Sequence, residues 1–216
     1  MPVHYEAWNP FIFLDQTELI HITFAGMLEN MSTTAHIISQ TKKWITDVVV
    51  GCNFCPFAAR EVKQNKVHYQ VEPSTELSVC LASFLQECDR LDKEEMIETT
   101  LLIFPNAFRS FEDYLVLFGL AEKLIREKKY EGIYQVASFH PLYRFAHSPA
   151  DDAANYTNRS IYPMLHLLRE ESIEEALKGY PDPEQIPERN ILFAREKGTM
   201  YMKMLKDACL GDSIFS

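Results

Sequence analysis

The chain has 216 residues, enough for one full hydrophobic core and short for two, so a single domain is expected. Its 47% hydrophobic and 24% charged residues are ordinary globular values, and 31 acidic against 21 basic residues leave a net charge of −10. Such a surface repels phosphate backbones and no run of Lys and Arg offsets it, so nucleic acid is excluded as a partner.

Five cysteines are an odd number, too sparse for a small secreted scaffold, and they fit reduced thiols in a cytoplasm. The first 41 residues hold no Lys or Arg, so the positive region of a secretory signal is missing. The apolar stretch from Phe11 to Leu28 is broken by Asp15, Glu18 and His21. A bilayer span needs about twenty apolar residues, so no membrane contact is expected and the chain reads as soluble and cytoplasmic.

Residues 1–30 form an N-terminal extension ahead of a globular domain over 31–210, and two readings of it stand side by side. It is a docking arm carrying Trp8, Phe11, Phe13 and Phe24, or an over-extended start with Met27 or Met31 as the internal beginning. Without residues 1–30 the chain loses Glu6, Asp15, Glu18 and Glu29 and no base, and its net charge becomes −6.

From Ser32 the pattern turns regular. Ile37, Ile38, Trp44, Ile45, Val48 and Val49 share a helical face, with Ser32 or Thr33 as cap and Gly51 as the terminating glycine. Val67, Tyr69 and Val71 alternate with His68, Gln70 and Glu72, which predicts a strand with one wet face. Ser74 opens a helix striped by Leu77, Leu81, Phe84, Cys88 and Leu91, and Leu101 to Phe104 is a short buried strand. Ser110 and Asp113 cap a helix carrying Phe111, Tyr114, Leu115, Phe118, Ala121 and Ile125. Ile133 to Phe139 is a third strand, a polar loop covers about 142–160, and Met164 to Leu168 is a fourth strand. Ser172 and Glu175 form a capping box for a helix to Lys178, and a helical tail from Glu188 to Leu210 breaks near Gly198. There is no internal repeat, no low-complexity tract and no signal for an oligomeric state.

This order predicts an α/β (or α+β) fold: one domain with a four-stranded mixed sheet and a βαβαβ core flanked by helices. The first three strands run parallel, and the fourth pairs antiparallel at an edge or beside the third. Ligands of open α/β sheets bind at the carboxyl ends of the strands. Here those ends carry Glu72, then Asn106 and Arg109, then His140, Tyr143 and Arg144.

Chemistry-bearing residues concentrate in the same place. Three of the seven histidines, His140, His147 and His166, fall within about thirty residues together with Arg144, Arg159, Arg169, Asp151, Asp152, Asn155 and Asn158. Imidazoles at a strand end suit proton transfer or metal ligation, and arginines in an acidic protein suit a carboxylate or phosphate. The alternative is a structural network in which histidines bond loop backbone and arginines pair with the aspartates. Cys52 and Cys55 have the spacing of half a zinc site or of a redox dithiol, and equally of two half-buried thiols packed by Phe54 and Phe57. Cys80 and Cys88 lie on a helix stripe and read as core. No glycine-rich phosphate loop, dinucleotide fingerprint or nucleophile elbow is present.

The segments Gly51-Cys52-Asn53-Phe54-Cys55-Pro56-Phe57-Ala58, Phe139-His140-Pro141 and Asn158-Arg159-Ser160 through Leu168-Arg169-Glu170 resemble the bacterial domain of unknown function 1415 family, over about residues 32–200. The resemblance implies a domain and no activity, cofactor or catalytic residue.

The functional expectation is an enzyme acting on a small anionic metabolite. His140 is its acid, base or ligand, and Arg144 and Arg159 hold the anionic group. Asn106, Arg109, Tyr143, Asn158 and Arg169 complete the substrate contacts. Cys52, Cys55, His147 and His166 are the candidate ligands for zinc or iron. In that role His140→Ala abolishes activity and leaves stability nearly unchanged. The competing expectations are a non-catalytic binding or scaffold protein and a C-x-x-C dithiol redox protein.

Overall fold

A computed structural model of the protein describes residues 16–211, with side chains from residue 30 onward. The expected arm of Trp8, Phe11 and Phe13, and the Phe24 side chain, lie outside the described residues. The chain divides into two units, residues 1–36 and 37–216. Helix α1 runs over Gln16–Trp44. Ser32 and Thr33, expected as its caps, are inside it, because no proline separates them from the residues before and a single glycine, Gly26, does not stop a helix.

The second unit begins with the last two turns of α1 and a π-helical turn over Ile45–Val50. The Gly51 amide donates to Thr46 O at 3.0 Å, and the Phe54 amide to Val49 O at 2.8 Å. Gly51 has a right-handed φ of −61° and is no left-handed cap. Its glycine is needed because a Cβ there would sit 2.3 Å from Asp47 O. The left-handed residue is Asn53, with φ 54°, a conformation that asparagine tolerates better than most. The wide turn therefore throws the Cys52–Cys55 loop off the helix end and into α2 (Ala58–Lys63).

Strand β1 (Val67–Val71), α3 (Leu77–Lys93), β2 (Thr99–Ile103), α4 (Phe111–Glu127), β3 (Tyr134–Phe139) and β4 (Met164–Arg169) follow, then α5 (Glu170–Leu177) and α6 (Ile186–Asp207). The sheet order is β1-β2-β4-β3. β1 pairs parallel with β2, and β4 is antiparallel to both of its neighbours. The first three strands thus point one way, as expected, and β4 pairs antiparallel beside the third, one of the two places expected for it; it is not an edge strand, because its other side pairs with β2. The mixed four-stranded sheet with helices on both faces is the fold the sequence predicts.

Strand alternation divides the core in two. Leu102, Leu165 and Leu167 pack on α3 and α4 with Phe84, Cys88, Leu91, Tyr114 and Leu117. Leu101, Ile103 and Met164 pack on the other face with Trp44, Val48, Ala194 and Met202. Each large side chain so buried contributes about 1.5–3 kcal/mol. The face of β1 expected to be wet is covered by α3: His68 Nε2 lies 3.6 Å from the carboxylate of Glu87, whose side chain is 2% exposed. Ser110 caps α4 as expected, its hydroxyl accepting the Asp113 amide at 3.1 Å. Ser172 does not cap α5, which starts two residues earlier, and donates instead to Glu98 at 2.5 Å. Gly198, with φ 80°, breaks α6 where a break was expected. Among the described residues no helix is long and apolar enough to cross a membrane.

Candidate functional site

The carboxyl ends of β1, β2 and β3 and the amino end of β4 meet at one edge of the sheet. The chain leaves β3 directly into His140, which is fully buried. Its Nδ1 accepts the Leu142 amide at 3.0 Å, which leaves Nε2 as the protonated nitrogen, donating to Phe108 O at 2.8 Å. The ring lies 5.3 Å from Phe111 and 5.0 Å from Tyr114. Burial pushes its pKa below the usual histidine value, so the ring is neutral at pH 7 with both nitrogens engaged. Phe108, held through its carbonyl, has φ 56°, an uncommon conformation for a bulky residue, and the turn it makes leads into α4.

The loop after His140 is tied by its own polar groups. The His140 amide donates to Asn158 O at 3.3 Å, and Asn158 Nδ2 to Ser138 O at 3.3 Å. Arg159 donates to Tyr143 O at 3.0 Å and to Ala150 O at 2.8 Å, with its guanidinium 4.7 Å from the Tyr156 ring centre. Buried Asn155 accepts the Phe145 amide at 3.0 Å and donates to Pro149 O at 2.9 Å. Asp152 caps the turn at Ala153–Thr157 and takes a two-pronged contact from Arg195 of α6, which holds its carboxyl well below the usual carboxylate range. His140, Asn158 and Arg159 therefore direct their polar atoms into the loop itself.

What the braced loop presents is a groove. Residues 143–149 stand opposite the first two turns of α4, with Ser138 of β3 at the base, and enclose an open cavity of about 890 Å³. Ligand pockets span about 300–1,000 Å³, so its size suits a small molecule. The Phe111 and Tyr143 rings are 5.4 Å apart and the Tyr143 and Phe145 rings 5.1 Å apart, which makes an aromatic wall. Burial raises the Tyr143 phenol, so it stays a neutral hydrogen-bonding group. Arg144 and His147 are exposed on the groove, and neither forms a hydrogen bond or ion pair with a described residue. His147 holds φ 63°.

Of the expected site residues, Tyr143, Arg144 and His147 are brought together at this groove, and His140, Asn158 and Arg159 build the loop behind it. Asn106 is exposed and braces Pro73 O at 3.0 Å, and Arg109 is exposed and does not line the groove. Arg169 sits at the opposite end of β4, paired with Tyr134, and donates to Ile97 O at 3.1 Å and to Leu91 O. Six residues of strand, about 3.3 Å each, separate it from the other two arginines, so the three form no common clamp.

The candidate metal ligands are also apart. His166 lies on the α1/α6 face of the sheet, since its neighbours Leu165 and Leu167 pack on α4. Thr99 donates its hydroxyl to Leu167 O at 2.5 Å, so His166 Nε2–H donates to Thr99 Oγ1 at 2.6 Å. Cys52 and Cys55 pack at the margin of the core on the same α1/α6 side. Burial raises both thiols, an effect that the Phe57 and Ala58 amides at Cys55 only partly offset. Among the described residues no three His, Cys, Asp or Glu side chains are grouped as metal ligands would be.

Sequence reading missed Phe111, Glu112, Leu115, Phe118 and Phe145 as groove residues. The signal was the apolar content of α4: beyond the buried Tyr114, Leu117, Ala121 and Ile125 it carries Phe111 and Phe118, only partly covered by the core, and Leu115, which the core leaves out. Leu115 is 48% exposed.

No curated protein and no solved structure matches the chain. A family model described as "Protein of unknown function (DUF1415)" matches residues 36–204, which contain every element from the end of α1 to most of α6. The residues that build the groove and the loop behind it thus lie within the matched segment, and the chain belongs to the DUF1415 family.

Proposed function

We propose that the protein is a non-catalytic binder of a small molecule carrying an anionic group, held in the groove between α4 and residues 143–149. The observation that carries this reading is the unpaired Arg144 on an open, aromatic-walled cavity of about 890 Å³. An exposed guanidinium above apolar surface presents a fork that matches a carboxylate, while the rings take the ligand's apolar body. His140 favours a binding reading over a catalytic one, because it braces the loop behind the groove and neither ring nitrogen is free to exchange a proton with a ligand.

Arg144→Ala tests the reading. Calorimetric titration with small carboxylates is expected to show about tenfold weaker binding to the variant, the size of one charge-assisted contact. Its stability is expected to stay within about 0.5 kcal/mol of the parent, because Arg144 is exposed and forms no hydrogen bond or ion pair with a described residue. Equal affinity for the same carboxylates in both proteins would overturn the proposal.

A further inference from the structure

We infer that the groove takes a zwitterion with an aromatic body, an aromatic α-amino acid. The inference rests on the groove being the ligand site and adds the chemistry of the ligand. Two unpaired charges of opposite sign line the same cavity. Arg144 comes from the loop, and Glu112 from the first turn of α4. Glu112 is exposed, close enough to the neutral His140 ring to interact electrostatically with it, and forms no side-chain hydrogen bond or ion pair with a described residue. Arg144 is likewise unpaired, so the two have not satisfied each other across the opening.

A ligand with one negative end leaves Glu112 beside it uncompensated, and like charges at close range oppose binding. A ligand bearing a carboxylate and an ammonium on one carbon meets both. The apolar body is specified by the aromatic residues that line the same cavity. Phe111 and Tyr143 stand 5.4 Å apart with their planes at 59°, and Phe145 meets Tyr143 edge to face at 83°. A flat ring placed on this wall continues the tilted and edge-to-face geometry that aromatic groups prefer.

The test is a titration of the full chain with L-phenylalanine, 3-phenylpropionate (which lacks the ammonium) and phenethylamine (which lacks the carboxylate), followed by amide NMR. The same series is run on Glu112→Gln and Arg144→Ala. Phenylalanine is expected to bind about fivefold tighter than either truncated ligand, the effect of one additional exposed ion pair. Its advantage over 3-phenylpropionate is expected to vanish in Glu112→Gln, and its advantage over phenethylamine in Arg144→Ala. Shifts should map to residues 143–149 and the start of α4. If 3-phenylpropionate binds as tightly as phenylalanine and depends on Arg144, the zwitterion is overturned and the anion-binding groove stands. If none of the three ligands perturbs the groove, the inference is overturned together with the reading it rests on. Glu112 is an exposed first-turn residue, so its neutral variant keeps the fold and loses only its part of the helix-dipole stabilisation.

Discussion

Replacing His140 with alanine is expected to cost about 3 kcal/mol of folding stability, measured by urea denaturation. The ring is fully buried, so its removal leaves a cavity against Phe111 and Tyr114. It also strands the Phe108 carbonyl and the Leu142 amide, each of which loses about 1 kcal/mol of hydrogen bonding. The loss extends to the site, because Phe108 is held in a left-handed conformation ahead of α4 and Leu142 begins the groove loop. This outcome is the reverse of what a catalytic His140 implies, for which activity falls and stability does not. A variant as stable as the parent would contradict the structural role.

Acid is expected to destabilise the protein from about pH 6.5 downward, well above the range where carboxylates titrate. Burial depresses His166 from 6.5 to about 4. Between those values the unfolded chain takes up a proton that the folded protein refuses, so stability is full above about pH 6.5 and falls as pH drops toward 4. His166 alone accounts for a loss of about 3 kcal/mol across that window. Depressed values at His140 and His68 act in the same direction. The depressed Asp152 carboxyl contributes its loss only at lower pH, when the contact with Arg195 is protonated away. Urea denaturation from about pH 8 to about pH 4, on the parent and His166→Gln, measures this, with a shallower slope expected in the variant. A flat profile down to about pH 4 would contradict neutral burial of the three histidines.

The strands were legible because each is a short apolar or alternating run bounded by turn residues, and the parallel course of the first three follows from the helices between them. The antiparallel place of β4 beside the third strand was legible as one of two alternatives, and its insertion against β2 was not. Its residues Met164, Leu165 and Leu167 suit any strand with two covered faces, and the register with both β2 and β3 is decided by packing. His68 reads as solvent-facing from alternation, yet α3 lies over it, and nothing local to β1 reports the helix above. Gly51 shows how a correct residue can carry the wrong reason: glycine is required there by the close approach of Asp47 O within the local π-helical turn, and not by a left-handed cap.

For the candidate site, the strand-end rule leads to the edge of the sheet where the groove lies, and Tyr143, Arg144 and His147 line that groove. Sequence proximity misled at Arg169, because one strand carries it to the far end of the sheet, and at His166, because strand alternation turns it to the other face. His140 and Arg159 have the residue types of a catalytic pair, and only their hydrogen-bond partners distinguish a reactive group from a brace.

The division between braced and presenting residues is tested most directly by imidazole-nitrogen NMR of the histidines, recorded from about pH 8 to about pH 5 with and without a small aromatic carboxylate. His140 is expected to remain neutral and protonated on Nε2 at pH values where a free histidine is half charged, and to be unmoved by the ligand. His147 is expected to shift on ligand addition, as the exposed imidazole of the groove. A His140 that carries its proton on Nδ1, or that charges at or above 6.5 and responds to the ligand while His147 does not, would contradict the account.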